Sequence, residues 1–301
     1  MVKGSKRKRF YFQKIILLSI FFICVFINSA RALELPSIDK SKIRLSILRG
    51  QSKYGEITVE NSTPETRKII LYLGDWQYLP ASDGSKEFLP ANTTFLSCAS
   101  WISFSPSEIT LPPFSKQKVS YAVKVPAEAK DGGHYAALFF ENNFGKFETS
   151  QNEMRATMGI VIRLTTLFYI EVEGTVKRTA TIGGLTATVG SDPKTSLIKM
   201  DFYNTGNADI TCGGTFHIMD KDGLVLSRKE FNNVYTFPDK SAKLSATYKD
   251  SLPKGIYSLV FTLDLGKALE EDNFGRGPVI TKEAEIEIGE DGQIKSLGKL
   301  K

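Results

Sequence analysis

Few side chains in this sequence have the types and spacing that catalysis or metal binding needs. The two histidines, His134 and His217, lie far apart, and neither belongs to a cluster of Cys, His, Asp or Glu with metal-ligand spacing. Residues 220–223, Asp-Lys-Asp-Gly, match half of a calcium loop but lack the later ligands, so they predict a hairpin turn. The sequence has no G-x-S-x-G, P-loop or dinucleotide-binding fingerprint. We therefore expect a protein that is not an enzyme and that uses no metal or cofactor.

The first 32 residues have the pattern of a secretory signal peptide. A basic cluster at 6–9 precedes an apolar run at 15–27, and Ala30-Arg-Ala32 is a small-x-small cleavage signature. As a helix this run would rise only about 20 Å, which disfavours the alternative of an uncleaved anchor across a core of about 30 Å. No later segment is apolar for long enough to span a membrane. We therefore expect the mature protein in the periplasm or at the cell surface.

Removal of the signal peptide changes the charge of the chain. Residues 1–32 carry seven basic and no acidic side chains, so the formal charge falls from +6 to −1 when they are removed. The basic balance therefore belongs to the export signal and does not predict nucleic-acid binding.

Two cysteines, Cys98 and Cys212, remain after the signal peptide. In an exported chain they could form a disulfide between the two halves of the protein. The alternative is a pair of separate buried thiols, and the sequence leaves both open.

The mature chain has the patterns of β-strands throughout. Residues 42–48 and 118–125 alternate apolar and polar side chains, and clusters of Gly, Pro, Asn and Asp lie between such runs. No segment has a clear apolar period of 3.6 residues. Many short strands separated by turn signals predict antiparallel sandwiches.

A repeated Gly-x-Tyr pattern divides these strands into two sets. Asp131-Gly-Gly133-His-Tyr135 and Pro253-Lys-Gly255-Ile-Tyr257 each precede an alternating apolar run. Both have the layout of a tyrosine corner, in which a buried tyrosine bonds through its hydroxyl to the backbone just upstream. The glycine two residues earlier allows the tight turn into the strand.

A second repeat supports the same division. Each half has an upstream strand that ends in an asparagine at a turn, Asn61 in the first and Asn204 in the second. The predicted fold class is therefore all-β, with two tandem immunoglobulin-like β-sandwich domains. We place them at residues 38–173 and 174–290, followed by a polar tail at 291–301.

The first domain resembles a known family. Its first two strands, followed by Asp75-Trp76, Trp101-Ile-Ser-Phe-Ser-Pro106 and Leu167-Phe-Tyr169, resemble the N-terminal domain of PapD-like periplasmic pilus-assembly chaperones over about residues 40–172. The second domain resembles many bacterial immunoglobulin-like modules. The tandem arrangement also resembles the WxL-interacting surface proteins.

The chaperone resemblance implies a binding mechanism. Such chaperones lend their strand G to an incomplete pilus subunit, which is strand addition at an open edge, and basic residues in the interdomain cleft hold the subunit's terminal carboxylate. Alignment on Leu167-Phe-Tyr169 puts the lent positions on Thr157, Gly159 and Val161, of which Val161 is the apolar one. The strand that corresponds to strand G is predicted at residues 157–172. The candidates for the family's cleft cations are Arg44 or Arg49 for the cation of its first strand, and Thr166 at the position of its strand-G lysine, with Arg163 as a substitute. The alternative is that Arg44, Arg49 and Arg163 are solvated strand residues that bind no partner.

Two functions follow from these resemblances. The first is a non-catalytic, chaperone-like protein that binds a partner such as a pilus subunit through the edge strands of its first domain. The alternative is a structural or adhesive surface module that binds peptidoglycan or another surface protein.

Overall fold

A computed structural model of the chain describes residues 35–151, 154–190, 195–249, 252–275 and 277–301. The predicted signal peptide, residues 1–32, lies outside the described residues. The first half contains these strands: β1 Ser37–Ile38, β2 Lys42–Ile47, β3 Ser52–Glu60, β4 Arg67–Tyr78, β5 Lys86–Pro90, β6 Ile102–Ser105, β7 Glu108–Leu111, β8 Lys116–Lys124, β9 Gly133–Gln151 and β10 Met154–Val172. A single 3₁₀ turn, Ala99–Trp101, precedes β6.

Two sheets enclose the core of the first half. One has the order β1-β3-β8-β6, and the other has the order β2-β10-β9-β4-β5, with β7 paired to β4. The alternating side chains Val119, Tyr121 and Val123 of β8 point into the space between the sheets, as the period of two in the sequence predicts. Phe168 and Ile170 of β10 enter the same core from the opposite sheet.

The second half is another sandwich with its own core. Its strands are β11 Ala180–Val189, β12 Ser196–Asn204, β13 Ile210–Met219, β14 Val225–Thr236, β15 Ser241–Tyr248, β16 Gly255–Asp264, β17 Val279–Ile288 and β18 Ile294–Leu297, with a short helix α1, Lys267–Glu271, between β16 and β17. They form the sheets β11-β12-β15 and β14-β13-β16-β17-β18. The prediction of two tandem all-β sandwiches is therefore confirmed, while the domain boundary at 173 and 174 stays a prediction.

The last residues do not form a separate polar tail. Ile294–Leu297 pair with β17 as β18, and Lys301 continues the pairing through its backbone N–H, which donates to the Glu283 carbonyl at 2.8 Å. Leu297 and Leu300 pack against the second core. Burial of these apolar side chains explains why the segment adds to the sheet.

The two predicted tyrosine corners have different outcomes. The Tyr257 hydroxyl donates to the Pro253 carbonyl at 2.8 Å, which is the hydrogen bond that a tyrosine corner requires, although its ring is only partly buried. The Tyr135 hydroxyl instead accepts from the backbone N–H of Asp209 at 2.6 Å, so the prediction for the first half is wrong. The reason is that Tyr135 lies on the face of β9 that packs against the second half, and its ring is only 1% exposed.

Of the remaining predicted corner residues, Gly133 contacts the second half, whereas Asp131 and Gly255 do not. A Cβ on Gly133 would collide with the Tyr135 hydroxyl, and the Gly133 N–H donates to the Asn207 carbonyl at 2.9 Å. The Asp131 carboxylate pairs with Arg49 at the surface. A Cβ on Gly255 would lie 3.3 Å from the Tyr257 ring, so glycine gives that ring its space.

The two cysteines are separate buried thiols. Cys98 belongs to the first core and Cys212 to the second, so the disulfide alternative does not describe this structure. Burial raises the pKa of both thiols, that of Cys212 to about 12.

Candidate partner-binding site

The long strand β10 has one edge that is only partly covered. Along its other edge it pairs with β9 over almost its whole length. On the first edge, β2 runs parallel to it and pairs only with Leu167–Val172. This pairing ends where the Leu167 N–H donates to the Ser41 carbonyl at 2.9 Å. Among the described residues, no strand pairs with this edge from 159 to 165.

The two faces of β10 differ along this open edge. The even-numbered face is the one that carries Phe168 and Ile170 into the first core. Its apolar row continues through Leu164, which packs against that core, to Ile162 and Ile160, which are partly buried and lie beyond the core residues. The even face thus presents an apolar row that its own domain covers only in part.

The odd-numbered face of β10 points to the outside of the sheet. Val161 is 51% exposed, and Gly159 is exposed with open space around the position of a Cβ. Arg163 donates to the Glu141 carboxylate at 3.0 Å, and its guanidinium lies 5.6 Å from the centroid of the Tyr72 ring. The backbone of Thr157 pairs with Glu148, but its side chain lies outside the described part of the chain.

Two of the predicted cleft residues are not in a cleft. Thr166 is fully buried, and its hydroxyl donates to the Lys40 carbonyl at 2.6 Å, on the side of β10 that faces the first core. Arg49 lies at the surface, pairs with Asp131 and donates to the Ala129 carbonyl at 2.9 Å. Neither side chain is placed to hold a carboxylate between the halves.

Arg44, by contrast, lies in the centre of a buried ionic network between the halves. Its Nη2 and Nη1 atoms donate to the two carboxylate oxygens of Asp209 at 2.7 and 3.0 Å. Nη1 also donates to Glu171 at 2.8 Å, and Nε donates to Asp272 at 2.8 Å. Its side chain is only 2% exposed, so it is not a solvated strand residue. Arg44 thus makes four hydrogen bonds to carboxylates. Because Asp209 and Asp272 belong to the second half, these bonds link the two halves.

Other groups complete this network. Arg178 donates to Glu171 at 2.7 Å and to the backbone carbonyl of Asp209 at 3.2 Å. Lys42 pairs with Asp272 at 2.6 Å. The network therefore contains three cations and three carboxylates, which is the balance that burial of charge requires.

The network fixes the protonation of Arg44 and Asp209. Burial alone would raise the pKa of Asp209, but the charge and hydrogen bonds of Arg44, together with the charges of Arg178 and Lys42, outweigh burial and hold this pKa below its usual range. Burial alone would lower the pKa of Arg44, but the attraction of Asp209, followed by its bonds to Asp272 and Glu171, raises it instead. Both groups are therefore ionised at neutral pH.

An aromatic cluster continues the junction next to this network. Trp76 and Tyr135 come from the first half and Phe237 from the second. The Tyr135 and Phe237 rings stack with their centroids 4.2 Å apart, and the Trp76 ring lies 5.1 Å from Phe237. Trp76 is 1% exposed and donates through Nε1 to the Ala136 carbonyl at 3.1 Å. Both halves are therefore joined by apolar and ionic contacts together.

A cleft of about 330 Å³ opens beside this junction, next to the end of the open edge of β10. Its walls include Lys42, Lys86, Tyr78, Tyr235, Leu167 and Glu271. Lys86 donates to the Gly84 carbonyl at 2.8 Å, and the structure shows no ion pair between it and a described acidic residue. Burial, and then the nearby Lys42 ammonium, lower the pKa of Lys86. Two positively charged lysines therefore line a cleft that can hold an anionic group.

His134 and the half calcium loop have structural roles. His134 is buried, bonds through Nε2 to the Lys130 carbonyl at 3.0 Å and packs its ring 4.3 Å from that of Trp101. Asp220 accepts the backbone N–H groups of Asp222 and Leu224, as in a hairpin turn. Within the part of the chain that the structure describes, no three His, Cys, Asp or Glu side chains are placed to share a metal ion.

Sequence reasoning missed Lys42, Lys86, Asp209 and Asp272. Lys42 precedes Arg44 by two residues on β2 and so lies on the same face, which is a signal that the sequence contained. The other three residues come from a hairpin strand, a loop and a helix end, and nothing in their local sequence marks them as neighbours. Among the described residues, no helix is long and apolar enough to cross a membrane.

No family model and none of the curated proteins matches the chain. Its structure is similar to those of fimbrial chaperones. A chain from the chaperone–tip adhesin complex of CFA/I fimbriae biogenesis has a TM-score of 0.46 and 12% identity, over 82% of this chain and 98% of that one. The class 5 fimbriae chaperone CfaA has a TM-score of 0.43 and 11% identity over the same shares. A chain from the complex of Salmonella enterica SafA pilin with the SafB chaperone has a TM-score of 0.41 and 12% identity, over 85% of this chain and 99% of that one.

Since these TM-scores lie below 0.5, what this chain binds must be inferred from its own contacts.

Proposed function

We propose that this protein is a non-catalytic chaperone that binds an immunoglobulin-like partner with a missing edge strand, such as a pilus subunit, in the periplasm. The open edge of β10 carries this proposal. From residue 159 to 165 its backbone offers N–H and C=O groups to a strand that the described part of the chain does not supply. Each added backbone hydrogen bond stabilises a complex by about 0.5–1.5 kcal/mol, so an added strand of several residues binds with useful affinity.

The position of β2 supports one direction for the partner strand. Because β2 runs parallel to β10 from Lys42 onward, a partner strand in line with β2 and parallel to β10 would end beside Lys42. Its terminal carboxylate would then reach the cleft that Lys42 and Lys86 line. Two ammonium groups can donate hydrogen bonds to a carboxylate, and such charge-assisted bonds are stronger than neutral ones. These lysines take the role that the family resemblance assigned to Arg44 and Arg49.

The even face of β10 supports the apolar part of the interaction. Ile160 and Ile162 are apolar, partly buried and outside the first core. A partner domain that extends this sheet can pack its own core on them. The odd face offers Val161 next to the charged Arg163 and the backbone of Gly159, so it supplies less apolar area. We therefore assign the main apolar contact to Ile162 and a smaller one to Val161.

Site-specific photo-crosslinking in periplasm tests the open edge. A photoreactive residue at 162 is compared with one at Ile256, which is 66% exposed in the second half. We expect a partner to be captured from position 162 only, and we expect deletion of its C-terminal strand to abolish capture. Equal capture from both positions, or capture that survives the deletion, would contradict strand addition and favour a surface module of the alternative kind.

Two matched charge substitutions then test which face of β10 contacts the partner. Burial of an isoleucine side chain stabilises a contact by about 1.5–3 kcal/mol, which corresponds to roughly 10- to 100-fold in affinity. We therefore expect Ile162→Asp to lower co-purification of the captured partner at least tenfold, and Val161→Asp to lower it less. A larger loss from Val161→Asp would instead support the odd face.

A further inference from the structure

The Asp272 carboxylate contacts Lys42, which is the cation that the partner's terminal carboxylate would meet. Its Oδ2 atom is 2.6 Å from Nζ of Lys42 and 2.8 Å from Nε of Arg44. Of the three carboxylates in the ionic network it is the most accessible, because its side chain is 13% exposed, against 3% for Asp209 and 7% for Glu171. Asp272 thus forms the outer end of the network, next to the cleft.

The two cations depend on Asp272 to different degrees. Arg44 keeps three hydrogen bonds to Asp209 and Glu171 without it. For Lys42, Asp272 is the anionic partner that the described residues provide. Loss of the Asp272 contact therefore leaves the buried part of the network intact, while Lys42 becomes available to another carboxylate.

We propose that Asp272 is an internal stand-in for the partner's terminal carboxylate. It neutralises Lys42 in the free protein and gives up this lysine when the chain end of the partner enters the cleft. This inference rests on the proposed function. The exchange needs only a rotation of the Asp272 side chain, and it replaces one carboxylate by another on the same ammonium. Asp272 therefore makes the free cleft selective, because a weak anion has to compete with a preorganised one.

Competition by Asp272 should change the affinity for a carboxylate-terminated strand by a measurable factor. Two like charges about 4 Å apart in water repel each other enough to change an affinity by roughly fivefold. Asp272→Asn removes the charge but keeps the shape, and its amide oxygen can still accept from Arg44. We expect this variant to bind a carboxylate-terminated strand about five times more tightly. Asp272→Ser is made in parallel, so that the result does not depend on one substitution.

The binding assay uses the full chain and two fluorescent octapeptides of alternating valine and threonine, one with a free C-terminal carboxylate and one with a C-terminal amide. Anisotropy at low ionic strength gives the dissociation constants. Glu271→Gln is the matched control, since Glu271 lines the same cleft and the structure shows no ion pair between it and Lys42. We expect the free acid, but not the amide, to gain affinity from Asp272→Asn, and Glu271→Gln to have a smaller effect.

The outcomes separate this inference from the proposed function. If the wild-type protein prefers the free acid but Asp272→Asn and Asp272→Ser bind it no better, Asp272 is only a clamp and the inference is overturned. An equal gain from Glu271→Gln overturns it as well, because the effect is then one of general charge. If neither peptide binds, or if acid and amide bind equally to every variant, the carboxylate site of the proposed function fails together with the inference.

Discussion

Substitution of Arg44 should destabilise the protein far more than substitution of Arg49, although both arginines belong to the same segment of the first half. Arg44→Met keeps much of the side-chain volume but removes the guanidinium from Asp209, Glu171 and Asp272. The first two carboxylates are almost completely buried and would keep only Arg178 as a cation.

The expected magnitude follows from this burial. Removal of one partner from a buried ionic network leaves an uncompensated charge and typically costs about 3–5 kcal/mol. The Arg49 side chain is 38% exposed and that of its partner Asp131 is 63% exposed. An exposed pair of this kind contributes about 0–1 kcal/mol, so Arg49→Met should be nearly neutral.

Urea unfolding provides the assay, with the fluorescence of Trp76 as a reporter because this ring is buried at the junction of the halves. We expect the midpoint to fall strongly for Arg44→Met and little for Arg49→Met, or the halves to unfold in separate steps in the first variant. Equal small losses in both variants would refute the view that Arg44 links the halves.

Two further predictions concern acid and the tyrosine corner. The native state holds the pKa of Asp209 below its unfolded value of about 3.9, so the unfolded chain binds more protons in acid. The stabilisation that this carboxylate gives above pH 4 is therefore lost as the pH falls through the lowered native pKa. Unfolding free energies at pH 5, 4 and 3 should therefore fall less steeply for Asp209→Asn than for the wild type, and parallel profiles would argue against this assignment. Tyr257→Phe should lower the stability of the second half by about 0.5–1.5 kcal/mol, since it removes a single hydrogen bond to the Pro253 carbonyl; an unchanged urea midpoint would show that water replaces this bond.

Local sequence patterns were sufficient to predict the fold class. The alternation of apolar residues in β8 and β10 has the period of a strand, and this period survives folding because each sheet has one face on a core. The corner at Tyr257 was equally predictable, since its hydroxyl bonds to a carbonyl four residues earlier. The same pattern around Tyr135 failed, because its hydroxyl bonds to Asp209, 74 residues later.

The binding residues of β10 show a similar division. The sequence predicts that a partner would use this strand, and among the described residues no strand pairs with its edge from 159 to 165. Alignment on Leu167-Phe-Tyr169 selected the odd positions such as Val161. The even row with Ile160 and Ile162 is apolar in the sequence itself, which predicts that the domain's own core covers it. Only the folded chain shows that this core ends before Ile162 and leaves both isoleucines partly exposed.

The sequence alone determined that this protein consists of alternating strands in two sandwiches, because a period of two residues is a local property. Its export stays a prediction from the cleavage signature at residues 30–32. Only the tertiary structure decided what its charges do. Arg44 and Asp272 are separated by 228 positions, yet their side chains are 2.8 Å apart. Contacts of this range follow from how the two sandwiches pack, and the energy of a charge depends on its burial and partners. A solvated arginine and a buried interdomain link therefore look the same in the sequence.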